Sequence, residues 1–271
     1  MPNNQRTIFF ISDRTGITAE ALGSSLLSQF EGVDFQPVRL PFIDSLEKAQ
    51  AAIERINQAS LKEGAPVLVF STQINQEFRR MLTTSNCVFF DFFDTYISKM
   101  ERALNLESLH TAGRLHAPSD HNNYNNRIDN INFTLNSDDG LGSKYYDQAE
   151  VILIGVSRSG KTPSCLFMAL QYGIKAANYP LIEEDLGSTE LPEVLKEHQH
   201  KLFGLSINAI RLQKIRSTRK SNSHYASLQQ CQSEIRRAED LYRANKIPFL
   251  DTTQSSIEEI SAKIVNYLSL R

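Results

Sequence analysis

The stretch Val151-Ile152-Leu153-Ile154-Gly155-Val156-Ser157-Arg158-Ser159-Gly160-Lys161-Thr162 decides the fold of the half of the chain that contains it. Its four leading apolar residues predict a buried strand, and the amphipathic run from Thr162 to Tyr172 predicts a helix. Between them lies a complete G-x-x-x-x-G-K-[ST] pattern, in the strand–loop–helix setting that gives the pattern its meaning. The glycines let backbone N–H groups converge on a phosphate at the positive end of the helix. Lys161 adds a point charge, and the Thr162 hydroxyl is suited to ligate Mg²⁺. Gly155, Val156, Ser157, Arg158, Ser159, Gly160, Lys161 and Thr162 are therefore expected to bind a nucleoside polyphosphate.

Outward from this loop, both flanks alternate between strand-like and helix-like stretches. Downstream come strand AANYPLI, an acidic loop, helix Leu191 to His198, strand KLFGLSI, and a helix to about Arg216. A basic segment, helix Ser227 to Asn245, strand IPFL and helix Ile257 to Leu268 follow. Upstream, the strand-like stretches TIFFIS, VDFQPVRL, PVLVFST and CVFFDFF are each followed by a helical pattern. Those helices are expected at Ala19 to Phe30, Ser45 to Lys62, Asn75 to Leu82 and Thr95 to Leu104. Such alternation predicts parallel α/β sheets. Between about Glu107 and Asn126 the composition turns to His, Asn, Gly, Ser and Pro, which is loop chemistry, and a helical pattern from Arg127 to Asn136 and the turn DDGLG follow. The expected organisation is an N-terminal parallel α/β domain over 1–110, a connecting segment over 111–148 and a P-loop kinase-like α/β domain over 149–271. No internal repeat of fixed period is visible.

Among P-loop classes, a GTPase would place D-x-x-G and N-K-x-D after the loop. Here the D-x-x-G matches, starting at Asp13 and Asp139, precede it, and N-K-x-D is absent. The acid-ended strand IPFLD, closing at Asp251, lies too near the C-terminus for a Walker-B strand of an ABC-type or motor ATPase. The small-kinase layout fits better. Strand AANYPLI runs into Glu183, Glu184 and Asp185, acids at a strand's carboxyl end where open α/β sheets bind ligands, and one of them is expected to polarise an acceptor hydroxyl or hold Mg²⁺. A solvated acidic loop is the alternative. Arg211, Lys214, Arg216, Arg219 and Lys220 put five basic residues into ten with no acid among them, which reads either as a mobile lid whose arginines, Arg216 and Arg219 foremost, reach phosphate on closure, or as a solvated face. Ser12 to Thr18 forms a second polar loop after a strand, with a helix cap as its plainer reading. His110, His116 and His121 sit in the seam with Arg114 and Asp120 at no metal-demanding spacing, and Asp138, Asp139 and Gly140 read as a turn.

The 271 residues carry 41% hydrophobic and 22% charged side chains and a formal charge of −2, with a pI near 6.3. That balance argues against nucleic acid or an anionic membrane as the main partner. The longest strictly apolar run is six residues, Cys165 to Leu170, far below the roughly 20 a membrane span needs, and the N-terminus lacks the apolar core of a secretory signal. Cys87, Cys165 and Cys231 are odd in number and widely spaced, which suits buried thiols in a reducing cytoplasm.

SDRTGITAE near the start, FTLNSDDG before the P-loop strand, GVSRSGKTPSCLFMALQYGIKAANYPLI, HKLFGLSI and NSHYASLQQC, taken in order, span nearly the whole chain. Together they resemble the bacterial phosphoenolpyruvate synthase regulatory proteins, a family grouped with the pyruvate, phosphate dikinase regulatory proteins. NSHYASLQQC looks more like the synthase branch. The resemblance implies a bifunctional enzyme that uses ADP, not ATP, to phosphorylate a threonine of the synthase and so inactivate the synthase, and inorganic phosphate to reverse this with release of pyrophosphate. It maps the nucleotide loop onto Gly155 through Thr162. The sequence departs from the family pattern at Arg14, where Gly is expected, and at Gly113-Arg114-Leu115-His116-Ala117, where His-Arg-x-His-Gly is expected.

The combined reading is an ADP-dependent threonine kinase and phosphate-dependent pyrophosphorylase. Lys161, Glu184, Asp185, Arg216 and Arg219 are the expected catalytic residues and Thr162 the Mg²⁺ ligand. The expected partner is phosphoenolpyruvate synthase, with homo-oligomerisation left open. The same activities on pyruvate, phosphate dikinase, an ATP-dependent small-molecule kinase and a non-catalytic nucleotide sensor are the alternatives, and an acid beside the loop separates catalysis from sensing.

Overall fold

Strand β1 (Gln5–Ile11) alternates its side chains between two apolar layers, and that alternation organises the first unit. The computed structural model describes residues 5–111, 121–138, 143–219 and 223–270. It divides into two compact units, Met1–Pro118 and Ser119–Arg271.

In the first unit, β1, β2 (Asp34–Leu40), β3 (Val67–Ser71) and β4 (Cys87–Asp91) form a parallel sheet in the order β2-β1-β3-β4. Phe9 and Ile11 pack with Val67 and Val69 against Ala49, Ala52 and Ile56 of helix α2 (Leu46–Glu63). Ile8, Phe10 and Phe70 face the other way, onto Ala19 and Leu27 of α1 (Ile17–Leu27). Helix α1 approaches closely because Gly23 has no side chain. A Cβ there would lie 2.5 Å from the Phe10 ring and 2.9 Å from that of Phe70. Pro37 is tolerated because β2 is an edge strand. Helices α3 (Gln76–Leu82) and α4 (Phe92–Leu104) begin at Asn75 and Asp91, whose side chains accept from first-turn N–H groups.

The second unit begins its sheet with β5 (Val151–Gly155), buried along its whole length between β6 (Ala176–Pro180) and β7 (Leu202–Ser206), with β8 (Phe249–Asp251) beyond. All pairings are parallel. Helix α5 (His121–Asn136) packs on this sheet: Asn130 and Thr134 donate to the carbonyls of Gly173 and Ala176, and Phe133 joins the core beside Ile152 and Ile154. Much of the expected connecting segment is thus structural in the second unit. On one face lie Leu241 and Tyr242 of α9 (Leu228–Ala244); on the other lie Cys165 of α6 (Lys161–Phe167) and Ile260 and Ile264 of α10 (Ile257–Tyr267). The helix expected over Thr162 to Tyr172 is α6 continued by a π-helical turn, Met168–Tyr172. Shorter helices α7 (Glu193–Lys196) and α8 (Ala209–Ser217) complete the unit.

Although the sequence shows no fixed-period repeat, the second sheet, β6-β5-β7-β8, reproduces the order of the first. In each unit the first strand ends five residues before a left-handed glycine, Gly16 (φ 78°) or Gly160 (φ 101°), which caps the following helix. Each first strand is therefore central, with neighbours reached in opposite directions. That arrangement opens a crevice at its carboxyl end.

Candidate functional site

Strand β5 delivers Gly155 to the sheet's carboxyl edge, and the loop must turn there in little space. A Cβ on Gly155 would sit 2.8 Å from both the Leu205 carbonyl and Ser159 Oγ, so a side chain at this position displaces the loop. Arg158 takes a left-handed conformation (φ 74°) and Gly160 another, and between them the chain reverses into α6. Thr252 Oγ1 holds the loop from behind, donating to the Ser159 carbonyl at 3.1 Å. The mouth is a cavity of about 220 Å³ lined by Ser157, Arg158, Gly160, Lys161, Thr162 and Pro163.

Inside it, Lys161 is buried, its ammonium donating to the carbonyls of Gly155 (2.9 Å) and Val156 (3.0 Å). These two bonds fix the ammonium, and its positive charge, against the start of the loop. The Thr162 hydroxyl donates to Asp138 Oδ1 at 2.9 Å, and Asn178 Nδ2 donates to the same oxygen in a very short contact. A hydroxyl and a carboxylate side by side form a hard-oxygen pair of the kind Mg²⁺ prefers. No group of three or more His, Cys, Asp or Glu suited to a metal occurs among the described residues.

Arg216 is fully buried. Its guanidinium pairs with Glu234 at 2.6 Å and donates to the carbonyls of Ser157 (3.1 Å) and Tyr225 (3.0 Å). Tyr225 in turn donates to Ser157 Oγ at 2.9 Å and lies under the Arg216 guanidinium at 4.1 Å. The expected swinging arginine is therefore, at position 216, a fixed brace that ties α8 and α9 to the loop. Arg219 is exposed and lies with Arg158 and Tyr225 along an adjoining cleft of about 380 Å³. Lys220 lies outside the described residues.

The acidic cluster departs from expectation. Asp185 accepts from the Ile182 N–H (3.0 Å) and the Tyr179 hydroxyl (3.2 Å), which closes the turn after β6. Burial, reinforced by the Asp185 charge, pushes the Tyr179 phenol up to about 12, so it remains a donor. Glu183 and Glu184 point into solvent, and none of the three lines the loop cavity. Among the described residues the acid that touches the loop is Asp138, which the sequence presents as part of a turn. The only local hint of this placement is Asn178, an uncharged polar residue inside the buried strand it bonds from.

Elsewhere, Ser12 to Thr18 forms the corresponding loop of the first unit. There, Arg14 N–H donates to Ser12 Oγ, and burial raises the pKa of Asp13, whose Oδ2 lacks a hydrogen-bond partner among the described residues. Asp251 caps its own turn by accepting from Thr253 N–H at 2.8 Å. His110 bonds to Ser108 at 2.9 Å. Arg114, His116, Asp120, Asp139 and Gly140 lie outside the described residues, as does the side chain of His121. No described helix is long and apolar enough to cross a membrane.

Comparison with known proteins follows the same outline. The family described as kinase/pyrophosphorylase matches residues 8–265. A protein of Alkalilimnicola ehrlichii named "Putative phosphoenolpyruvate synthase regulatory protein" is 53% identical over 270 residues, covering 100% of this chain and 98% of its own. Proteins of the same name from Ectopseudomonas mendocina and Pseudomonas fluorescens are each 50% identical over 261 residues, 96% of both chains.

Proposed function

The chain belongs to the kinase/pyrophosphorylase family, and from that premise we propose that it phosphorylates a threonine of phosphoenolpyruvate synthase with ADP and removes the phosphate with orthophosphate. The observation that carries the reading is the loop of β5 and α6, where Lys161 and Thr162 meet at one cavity and a carboxylate, Asp138, touches Thr162.

In the forward direction the loop N–H groups and Lys161 hold the ADP phosphates, and the threonine Oγ attacks the β-phosphorus. The bond from that phosphorus to the bridging oxygen breaks, AMP leaves, and the threonine proton passes to a base. In the reverse direction an orthophosphate oxygen attacks the phosphothreonine phosphorus, the threonine Oγ leaves and takes up a proton, and pyrophosphate forms. Lys161 offsets charge on the transferred oxygens in both directions. The Thr162 hydroxyl, oriented by Asp138, is the residue that would hold Mg²⁺, which when bound neutralises phosphate charge. Asp138 and Asn178 act here as positioning residues. The reaction takes place in the cytoplasm, where the three free cysteines remain thiols.

The test is to incubate the full chain with purified synthase and β-labelled ADP and follow label onto the synthase. We expect transfer from ADP, loss of label from the phosphorylated synthase on adding orthophosphate with labelled pyrophosphate appearing, and loss of both directions in Lys161→Ala. Transfer from ATP with none from ADP would overturn the reading in favour of an ATP-dependent kinase.

A further inference from the structure

Beside the loop cavity lies the cleft of about 380 Å³ walled by Arg158, Arg216, Arg219 and Tyr225, and its charge balance is unusual. Arg216 is neutralised by Glu234, so it contributes a rigid wall rather than a free charge. The guanidinium groups of Arg158 and Arg219 have no hydrogen-bond or carboxylate partner among the described residues, which leaves two positive charges uncompensated on one cleft. Arg158 also lines the loop cavity, so the two spaces are contiguous through one side chain. It reaches both from a left-handed backbone position (φ 74°) that residues with a side chain rarely adopt. The wall is held to the loop by the Tyr225–Ser157 bond and by Arg216 on the Ser157 carbonyl. One face of the Tyr225 ring is already covered by the Arg216 guanidinium, which leaves less aromatic surface for a nucleobase and favours an anion in the cleft.

We propose that this cleft is a second phosphate subsite, contiguous with the loop, in which Arg158 and Arg219 bind a tetrahedral phosphate dianion through charge-assisted, bidentate-capable contacts. The proposal rests on the kinase and phosphorylase reading of the loop, which requires two phosphate groups side by side in the phosphorolytic direction. The dianion is either orthophosphate or the phosphothreonine of the protein substrate.

The side-chain Nε–H resonances of Arg158 and Arg219 report on the cleft, and the backbone amides of Gly160 and Lys161 report on the loop. The full chain is titrated separately with inorganic phosphate, O-phospho-L-threonine and ADP, with resonances assigned from Arg158→Ala and Arg219→Ala. Saturable shifts at both arginines are expected with at least one phosphate probe. The affinity read at Arg158 should fall about tenfold in Arg219→Ala and recover in part in Arg219→Lys. A response to inorganic phosphate alone identifies the co-substrate as the occupant, one to phosphothreonine alone identifies the protein substrate, and a response to both means that the subsite serves either source. Arginine resonances that stay still while phosphate shifts the loop amides, or that respond equally to chloride, overturn the proposal. If ADP leaves the loop amides unmoved, the functional reading fails, and the arginine resonances still decide the cleft.

Discussion

Two arginines three positions apart in the sequence, Arg216 and Arg219, have opposite surroundings, so their substitutions should separate. Arg216→Ala leaves Glu234 with its charge half-sheltered and removes the bonds to Ser157 and Tyr225. A loss of about 3 kcal/mol in unfolding free energy is expected, the low end for breaking a buried pair because Glu234 still meets solvent. Arg219→Ala should leave the urea midpoint where it is and lower turnover with the synthase. Comparing denaturation with turnover for both proteins checks the split, and equal stability of the two would refute the brace. Asp138→Asn should keep the fold but disturb the orientation of Thr162. Partners that orient a ligating group cost about 10- to 100-fold when changed. The loss should appear as a higher Mg²⁺ requirement, whereas a purely structural Asp138 would shift stability and leave the Mg²⁺ dependence alone.

Elements meet through small, specific allowances. Helix α1 lies against β1 and β3 only because Gly23 leaves room for the stacked rings of Phe10 and Phe70. Gly23→Ala gains up to about 1 kcal/mol of helix propensity but pushes a methyl group into two buried rings, an overpacking cost of about 1–3 kcal/mol. The net expectation is a lower urea midpoint for the first unit, read from a far-UV transition; a raised midpoint would show that α1 shifts without loss. The element pattern was readable from the alternation of apolar and polar stretches because each strand and helix buries one stripe of its own residues. Helix ends followed their caps, as at Ser256, which exchanges hydrogen bonds with Glu259 at the start of α10. The π-helical turn after α6, where Met168 and Ala169 are buried, was not readable, since no local pattern marks it.

Across the whole molecule, the buried ionisable groups set the response to alkali. Burial pushes the Cys165 thiol and the Tyr146 and Tyr242 phenols upward from ordinary values of 9.0 and 10.0. Between the unfolded and folded pKa values the unfolded chain has released protons that the folded one retains, so unfolding becomes more favourable as pH rises. Their contribution to stability is complete below about pH 9 and declines above it, by about 1.4 kcal/mol per pH unit for each group fully in that window. Urea midpoints should be flat from pH 7 to 8.5 and fall steeply from pH 9 to 11, and Tyr242→Phe should soften the fall. A flat profile to pH 11 would mean that these groups ionise in place.

The sequence by itself determined the α/β class, the strand order's raw material and the loop from Gly155 to Thr162, because a strand, a glycine-rich turn and a helix are specified by neighbouring residues. It also determined the family, whose motifs run the length of the chain. Tertiary structure alone decided which acid meets that loop. Asp138 bonds to Thr162 across 24 positions and Asn178 bonds to Asp138 across 40, while Glu183 to Asp185, closer along the chain and chemically as suitable, turn away. It also turned Arg216 from an expected mobile arm into a brace through Glu234, 18 positions on. Such pairings leave little mark in local pattern because they arise when distant segments are brought to one end of a sheet, and there burial selects which charges must find partners.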